Sequence, residues 1–512
     1  MHLALAQQVL LGDVPGRDFV DPGMPLTYSL SAVVQYVWPG PFSEVVLTSG
    51  LLALGAAATC AVVAAITRSW FWPVVAVFIE LALWPRLYSY PKVLVPALVL
   101  LAWWRYASKP SSAAMWATAG CTAIGVLLRH DLGAFAFIAV SAAICASSHL
   151  GRTRVKTWLQ YALFTGLLLV PYQLFVQWHG GLGEHIREGL EFSRSDVHQL
   201  LFAWSELPDL PRFAPFHPDE AATLLYYTSW VLVLVGALGV VRRRQREDSA
   251  TASTIVATLT FLGCYIIAIM RHPIVSRVPD AATVLAVLTV YFTADTIRRA
   301  RMDLATHRIR ALVAVGIVAF LCAGTVASAA TLGRIRERFH ETRLRDGVGK
   351  VRERLNALAH VGSVWPWAWY WPNGDLPDVI RYLSACTSAD HRVLVTWTAP
   401  EYLYYAQRGF GAGHALFIPR TFATEPDRQK IIERLEREHV PIALINESTR
   451  DEFARAYPEL EAYLSGRYYA VGHFTTRDRS RITVAVRNGI VASGSFGTDA
   501  WPCGFQLLSD VR

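Results

Sequence analysis

Apolar segments recur along this chain at about 42–67, 70–85, 91–104, 111–128, 132–148, 156–177, 223–241, 252–270, 281–297 and 310–331. A run of ~20 apolar residues crosses a bilayer as a helix, the form that satisfies its own backbone in hydrocarbon. Several of these runs are shorter than that, and 91–104 carries the weakest signal. The number of runs still excludes a soluble globular protein. Composition agrees: 53% of residues are hydrophobic, mean hydropathy is +0.31 and only 17% are charged, against about 25% in a soluble domain. The net charge of +8 does not point to nucleic acid, because the basic residues are scattered along the borders of apolar runs. Lysine occurs only at Lys92, Lys109, Lys156, Lys350 and Lys430, an arginine bias expected of a GC-rich bacterial genome.

Basic residues accumulate in the cytoplasmic turns of membrane proteins. Here every second turn is basic: Arg68; Arg105 and Lys109; Arg152, Arg154 and Lys156; Arg242, Arg243, Arg244 and Arg246; Arg298, Arg299, Arg301, Arg308 and Arg310. The alternate turns, 1–41, 85–92, 129–131, 179–222 and 271–280, then face outward, with everything after about 332. On this topology the first apolar segment runs from outside to inside, and a further membrane helix is expected upstream of Met1.

After an Arg/Glu-rich linker (333–358), the tail changes character. "RVLVTW", "PIALIN", "RYYAVGHF" and "RITVAVR" read as strands, and "EPDRQKIIERLEREHV" reads as an amphipathic helix. Strand–helix–strand order implies a small α/β layer domain. The Trp-rich run 365–371 reads as an aromatic anchor, and 183–199 as an interfacial helix. Five cysteines lie in apolar runs and read as small core residues. Cys386 and Cys503 lie in the tail, where a disulfide and two buried thiols are both open.

Four clusters on the outward side could carry chemistry. "DVPGRDFVDPGMP" holds Asp18 and Asp21. A carboxylate there could act as a general base or hold a divalent cation; the alternative is a polar loop in which Arg17, Asp18 and Asp21 neutralise one another. "RLYSYPK" brackets Tyr88 and Tyr90 with Arg86 and Lys92, either an aromatic belt with snorkelling cations or a phosphate clamp. "LLRHDLGAF" places Arg129, His130 and Asp131 in a very short turn, where Arg129 and Asp131 could pair with each other or orient a phosphate. "RHPIVSRVPDA" carries Arg271, His272, Arg277 and Asp280 on the side where arginine is not expected, which favours an anion site.

The layout and these motifs resemble the C-type (GT-C) membrane glycosyltransferases, in particular the bacterial protein-mannosyltransferase-like and aminoarabinose-transferase-like enzymes. The residues that carry the resemblance are Ala4, Leu5, Ala6, Gln7, Gly12, Pro15, Arg17, Asp18, Phe19, Asp21 and Pro22, followed by the last three motifs above. The resemblance implies a polytopic α-helical membrane protein, GT-C-like with about ten transmembrane helices, and a C-terminal extracytoplasmic α/β domain. Its domains would be a first outer loop with interfacial helices (1–41), a transmembrane domain (42–332) and the α/β domain (333–512). Implied too is an inverting transfer of sugar from a polyprenyl-phosphate donor to a glycan, lipid or protein acceptor, at the outer face of a bacterial cytoplasmic membrane. In that scheme Asp18 and Asp21 are the catalytic carboxylates. Arg86, Lys92, Arg129, Arg271 and Arg277 bind the donor phosphate, and Tyr88, Tyr90, His130, Asp131, His272 and Asp280 support them. No cofactor is certain, although a divalent cation, Mg or Mn, is compatible. The family's leading acidic pair would fall immediately before Met1.

Two rivals remain. A transporter or flippase should line a path through the bilayer with charge, whereas these charges gather on one side. A non-catalytic scaffold would keep the fold without its leading carboxylate.

Overall fold

The structure, a computed structural model, describes residues 2–83, 85–147, 153–190, 218–243, 249–269, 277–302, 376–414, 417–418, 423–475, 480–498 and 500–507, with isolated residues between 349 and 356. The expected segment 310–331, the Trp-rich run 365–371, most of the linker, and Arg271 and His272 lie outside the described residues. The chain splits into two compact units. One comprises Met1–Glu44, Gln173–Asp196 and Ala357–Arg512; the other comprises Val45–Tyr172 and Val197–Asn356.

The second unit is helical. Its elements are α3 (Pro41–Thr67, which begins in the first unit), α4 (Phe71–Ala82), α5 (Tyr90–Ser108), α6 (Ser112–Leu128), α7 (His130–Ala146), α8 (Arg154–His179, which ends in the first unit), α10 (Pro218–Arg243), α11 (Ser249–Ile269) and α12 (Ala282–Met302). Among the described residues, five stretches are long and apolar enough to cross a membrane: Phe42–Thr67, Leu87–Ser108, Arg154–His179, Ser249–Ile269 and Val278–Arg298. Helices α4, α6 and α7 are apolar but shorter. This is a polytopic helical membrane protein.

Helix α5, the weakest segment in the sequence, lies at the centre of this unit. Its buried residues run from Tyr90 through Trp103 to Ala107. Pro91, Lys92 and Pro96 depress its hydropathy, yet each has a structural account. Pro91 lies in the first turn, where a missing N–H costs nothing. Pro96 cannot donate to the carbonyl four residues back, that of Lys92, and the Tyr265 hydroxyl of α11 donates to that carbonyl instead (3.1 Å). Helices α6 and α7 are joined by one extended residue, Arg129 (φ −168°, ψ 119°). That junction requires Gly133: a Cβ there would lie 2.4 Å from the Val126 backbone nitrogen.

The first unit contains the α/β tail, and the N-terminal segment is built into it. Its elements are α1 (His2–Leu10), α2 (Pro25–Val37), α9 (182–190), α13 (Leu376–Cys386), β1 (Arg392–Val395), α14 (Pro400–Ala406), β2 (Gly409–Phe410), α15 (Glu425–Arg437), β3 (Ile442–Asn446), α16 (Arg450–Ala456), α17 (Pro458–Arg467), β4 (Tyr468–Thr475), β5 (Arg481–Arg487), β6 (Ile490–Phe496) and β7 (Trp501–Leu507). The main sheet has the order β2-β1-β3-β5-β4, parallel across its first three strands and antiparallel across the rest. Buried Ala4, Leu5, Ala6, Phe19, Tyr28 and Ala32 share one core with Tyr382, Phe410, Ile442 and Val484 of the tail. Gln8 completes the sheet's β2 edge. The Phe410 amide donates to its Oε1 (2.8 Å), and its Nε2 donates to the Arg408 carbonyl (3.3 Å), which blunts an otherwise open edge.

The expected strands and helix of the tail are all present. The β6–β7 hairpin was not read from the sequence. It is fixed by a disulfide between Cys386 and Cys503, by the Tyr382 hydroxyl donating to the Pro502 carbonyl (2.8 Å), and by Trp501 packing on Gly472. A Cβ at Gly472 would overlap that indole.

Candidate anion site

Several charged side chains of the helical unit converge at one end of its bundle. That end collects the starts of α5, α7 and α12 and the finish of α6 and α11, because consecutive membrane helices alternate in direction. Lys92 sits in the first turn of α5 and is 6% exposed. A cation at a helix N-terminus opposes the helix dipole, so its position needs a carboxylate. Asp280, in the 3₁₀ turn Val278–Ala281 that leads into α12, supplies it: Lys92 Nζ donates to Asp280 Oδ2. Arg129, held at the α6–α7 junction, makes a two-pronged bond to Asp131 (Nε–Oδ1 2.8 Å, Nη2–Oδ2 2.7 Å). Asp131 also accepts from the Leu132 amide (2.8 Å), a favourable place for an anion at the start of α7.

These pairs form one electrostatic group. Lys92 interacts with Asp280, Arg129 and Arg277, and Arg129 interacts with Asp131, Asp280 and Tyr265. Among the described residues three cations therefore face two carboxylates. The unmatched partner is Arg277, whose Nε is buried with no hydrogen-bond partner among the described residues. The structure thus brings together Lys92, Arg129, Arg277, Asp280 and Asp131. His130 accepts from or donates to the Tyr172 hydroxyl (3.2 Å). Arg86 is exposed, donates to the Tyr88 hydroxyl and lies over that ring at 5.6 Å. Tyr90 is buried in the core.

The carboxylates of the N-terminal loop belong to the other unit. Asp18 accepts from Arg17 (Nη2–Oδ2 2.6 Å) and from the Val14 amide (2.8 Å). Desolvation raises its carboxyl, but those hydrogen bonds and the charges of Arg17 and Arg434 outweigh it, and the group ends below the ordinary carboxylate value. Asp21 lies in a loop, as Pro22 and Gly23 suggest, and its Oδ1 accepts from the Gly23 and Met24 amides (2.9 and 3.2 Å) just before α2. A divalent cation needs several converging oxygen ligands. Among the described residues no three His, Cys, Asp or Glu side chains converge, and both Asp18 oxygens and Asp21 Oδ1 already accept hydrogen bonds.

Sequence reasoning missed two features. Asp13 forms a two-pronged pair with Arg392 (2.7 and 2.6 Å), which also reaches Glu438 (3.2 Å). Glu80 is a carboxyl buried in α4 and 1% exposed. It is the only charged residue between Trp70 and Pro85, a signal that a search for charge at segment ends passes over.

No protein-family model matches the chain, and no curated protein matches it. Solved structures that align with it include two of one protein. One is ArnT from Cupriavidus metallidurans in the apo state, at 13% identity and TM-score 0.41. The other is the same protein bound to undecaprenyl phosphate, at 13% identity and TM-score 0.37. Each alignment covers 94% of this chain and 92% of that one.

Proposed function

We propose that this protein is a membrane glycosyltransferase that takes a sugar from a polyprenyl-phosphate donor, with Lys92, Arg129 and Arg277 holding the phosphate. The observation that carries this reading is the unmatched cation: three basic side chains against two carboxylates, with the Arg277 Nε unpartnered, at one end of an apolar bundle. A guanidinium N–H shielded from water without a partner is costly, and a phosphate relieves that cost through charge-assisted hydrogen bonds. The GT-C-like motifs described from the sequence agree with it.

In the reaction the acceptor hydroxyl oxygen attacks the anomeric carbon, its proton passes to solvent, and the bond to the phosphate oxygen breaks with inversion. The electron pair leaves on the lipid phosphate. Negative charge therefore grows where Lys92, Arg129 and Arg277 gather, and fixed cations there favour the transition state over the ground state. Asp18 and Asp21 lie in the other unit and are given no role in this step. A carboxylate held below its ordinary pKa by donors, as Asp18 is, is a weak base. In this reading the α/β domain is extracytoplasmic and the acceptor is a glycan, lipid or protein.

Sugar transfer from a polyprenyl-phosphate donor, measured in membranes, tests this. Lys92→Ala should lower it at least ~100-fold without loss of membrane insertion. Undiminished transfer in both Lys92→Ala and Arg277→Ala would sink the assignment. Lipid movement without sugar transfer would favour the transporter reading instead.

A further inference from the structure

Glu80 is the one buried carboxyl at this end of the bundle that the proposed chemistry leaves without a task. Its surroundings come from three other helices. Its Oε1 lies 3.1 Å from the Thr283 hydroxyl of α12, which in turn lies 3.3 Å from the Val93 carbonyl of α5. The Thr59 hydroxyl of α3 is shared between the Gly55 carbonyl (3.2 Å) and the Glu80 carboxyl. The Glu80 Oε2 has no hydrogen-bond partner among the described residues. The ionisable groups on the neighbouring helices are Glu44 and Cys60 on α3, Tyr90, Lys92, Arg105 and Tyr106 on α5, Asp280 just before α12, and Tyr291, Asp295, Arg298, Arg299 and Arg301 on α12. Lys92 and Asp280 are paired with each other and Asp295 with Arg298, and among the described residues none forms an ion pair with Glu80.

Counting protons decides what this arrangement is. The Thr283 hydroxyl has one hydrogen and two acceptors within reach. With Glu80 ionised, that hydrogen must be divided between them, as must that of Thr59, and the carboxylate carries charge in an apolar bundle with no ion pair to offset it. With Glu80 protonated, its O–H donates to Thr283, Thr283 donates to Val93, and every hydrogen has an acceptor. The chain also ends where it matters. Val93 follows Lys92, and Thr283 lies three residues after Asp280.

We propose that Glu80 is a positioning residue, held as the neutral acid, that sets the starts of α5 and α12 through Thr283 and the Val93 carbonyl so that Lys92 and Asp280 meet. This rests on the proposed function only in taking the Lys92 group as the phosphate site.

Two measurements on the full chain in lipid bilayers test it. Infrared difference spectra should show a protonated carboxylic-acid band that Glu80→Gln removes; its absence from the wild type overturns the inference. Binding of polyprenyl phosphate is the second readout. Glu80→Gln can donate to Thr283 and should stay within about twofold of wild type, whereas Glu80→Leu and Thr283→Val should weaken binding up to about 100-fold. Thr283→Ser should restore it. A Glu80→Gln protein as weak as Glu80→Leu would overturn the positioning role. A wild type that shows the band but binds no polyprenyl phosphate would refute the functional reading and support the protonation.

Discussion

Arg392 and Arg277 are both guanidinium groups drawn in from solvent, and they are held in opposite ways. Arg392, in the unit with the mixed sheet, spends its donors on both oxygens of Asp13 and on Glu438. Arg277, in the helical unit, leaves its Nε without a partner among the described residues, beside two other cations and only two carboxylates. The first arrangement is complete in itself and joins the N-terminal loop to β1. The second is left one anion short. Matched charge marks structure here, and on the proposed function unmatched charge marks a place for a ligand.

That contrast can be broken by stability measurements. Arg392→Ala strands Asp13, which is 7% exposed, and should cost about 3 kcal/mol in thermal or denaturant unfolding, with polyprenyl-phosphate binding unchanged. Asp18→Asn should cost less, roughly 0.5–1 kcal/mol, because its partner Arg17 is exposed. The sign follows from its lowered pKa: the contribution is fully present above the unfolded-state pKa and is lost as pH falls through the folded one. The substitution should therefore flatten the acid limb of a stability–pH curve and leave neutral pH nearly unchanged in shape. The smallest change is expected at the other pole. Arg277→Leu removes a cation with no described partner and should shift stability by less than ~0.5 kcal/mol, or raise it. A loss as large as that of Arg392→Ala would show Arg277 to be structural.

Much of the architecture is legible in the sequence because hydropathy and period report burial directly. Strands β1 and β3 read as continuous apolar runs because both faces of the central sheet are covered. The membrane helices read as apolar segments, and their alternation predicted that residues 85–92, 129–131 and 271–280 would share one end. What was not legible depends on partners distant in sequence. The hairpin β6–β7 contains "VASGSF", largely exposed, and its place is set by Cys386, Tyr382 and Gly472. The disulfide stayed open because spacing alone does not bring Cys386 and Cys503 together. Helix α5 looked weak because two prolines and a lysine lower its hydropathy, and only Tyr265 and Asp280 show how they are accommodated. Asp18 and Asp21 stood out by residue type, but their partners include the backbone amides of Val14, Gly23 and Met24, which carry no sequence signature.

The account's central claim is that the helical unit binds a lipid phosphate through its unmatched cations. The most direct measurement is equilibrium binding of polyprenyl phosphate to the purified protein, wild type against Arg277→Leu and Lys92→Ala, with unfolding followed on the same samples. The account predicts a loss of at least ~10-fold in affinity for each, as expected when a charge-assisted contact to phosphate is removed, with Arg277→Leu folded as stably as wild type. Equal affinity in all three proteins would contradict it.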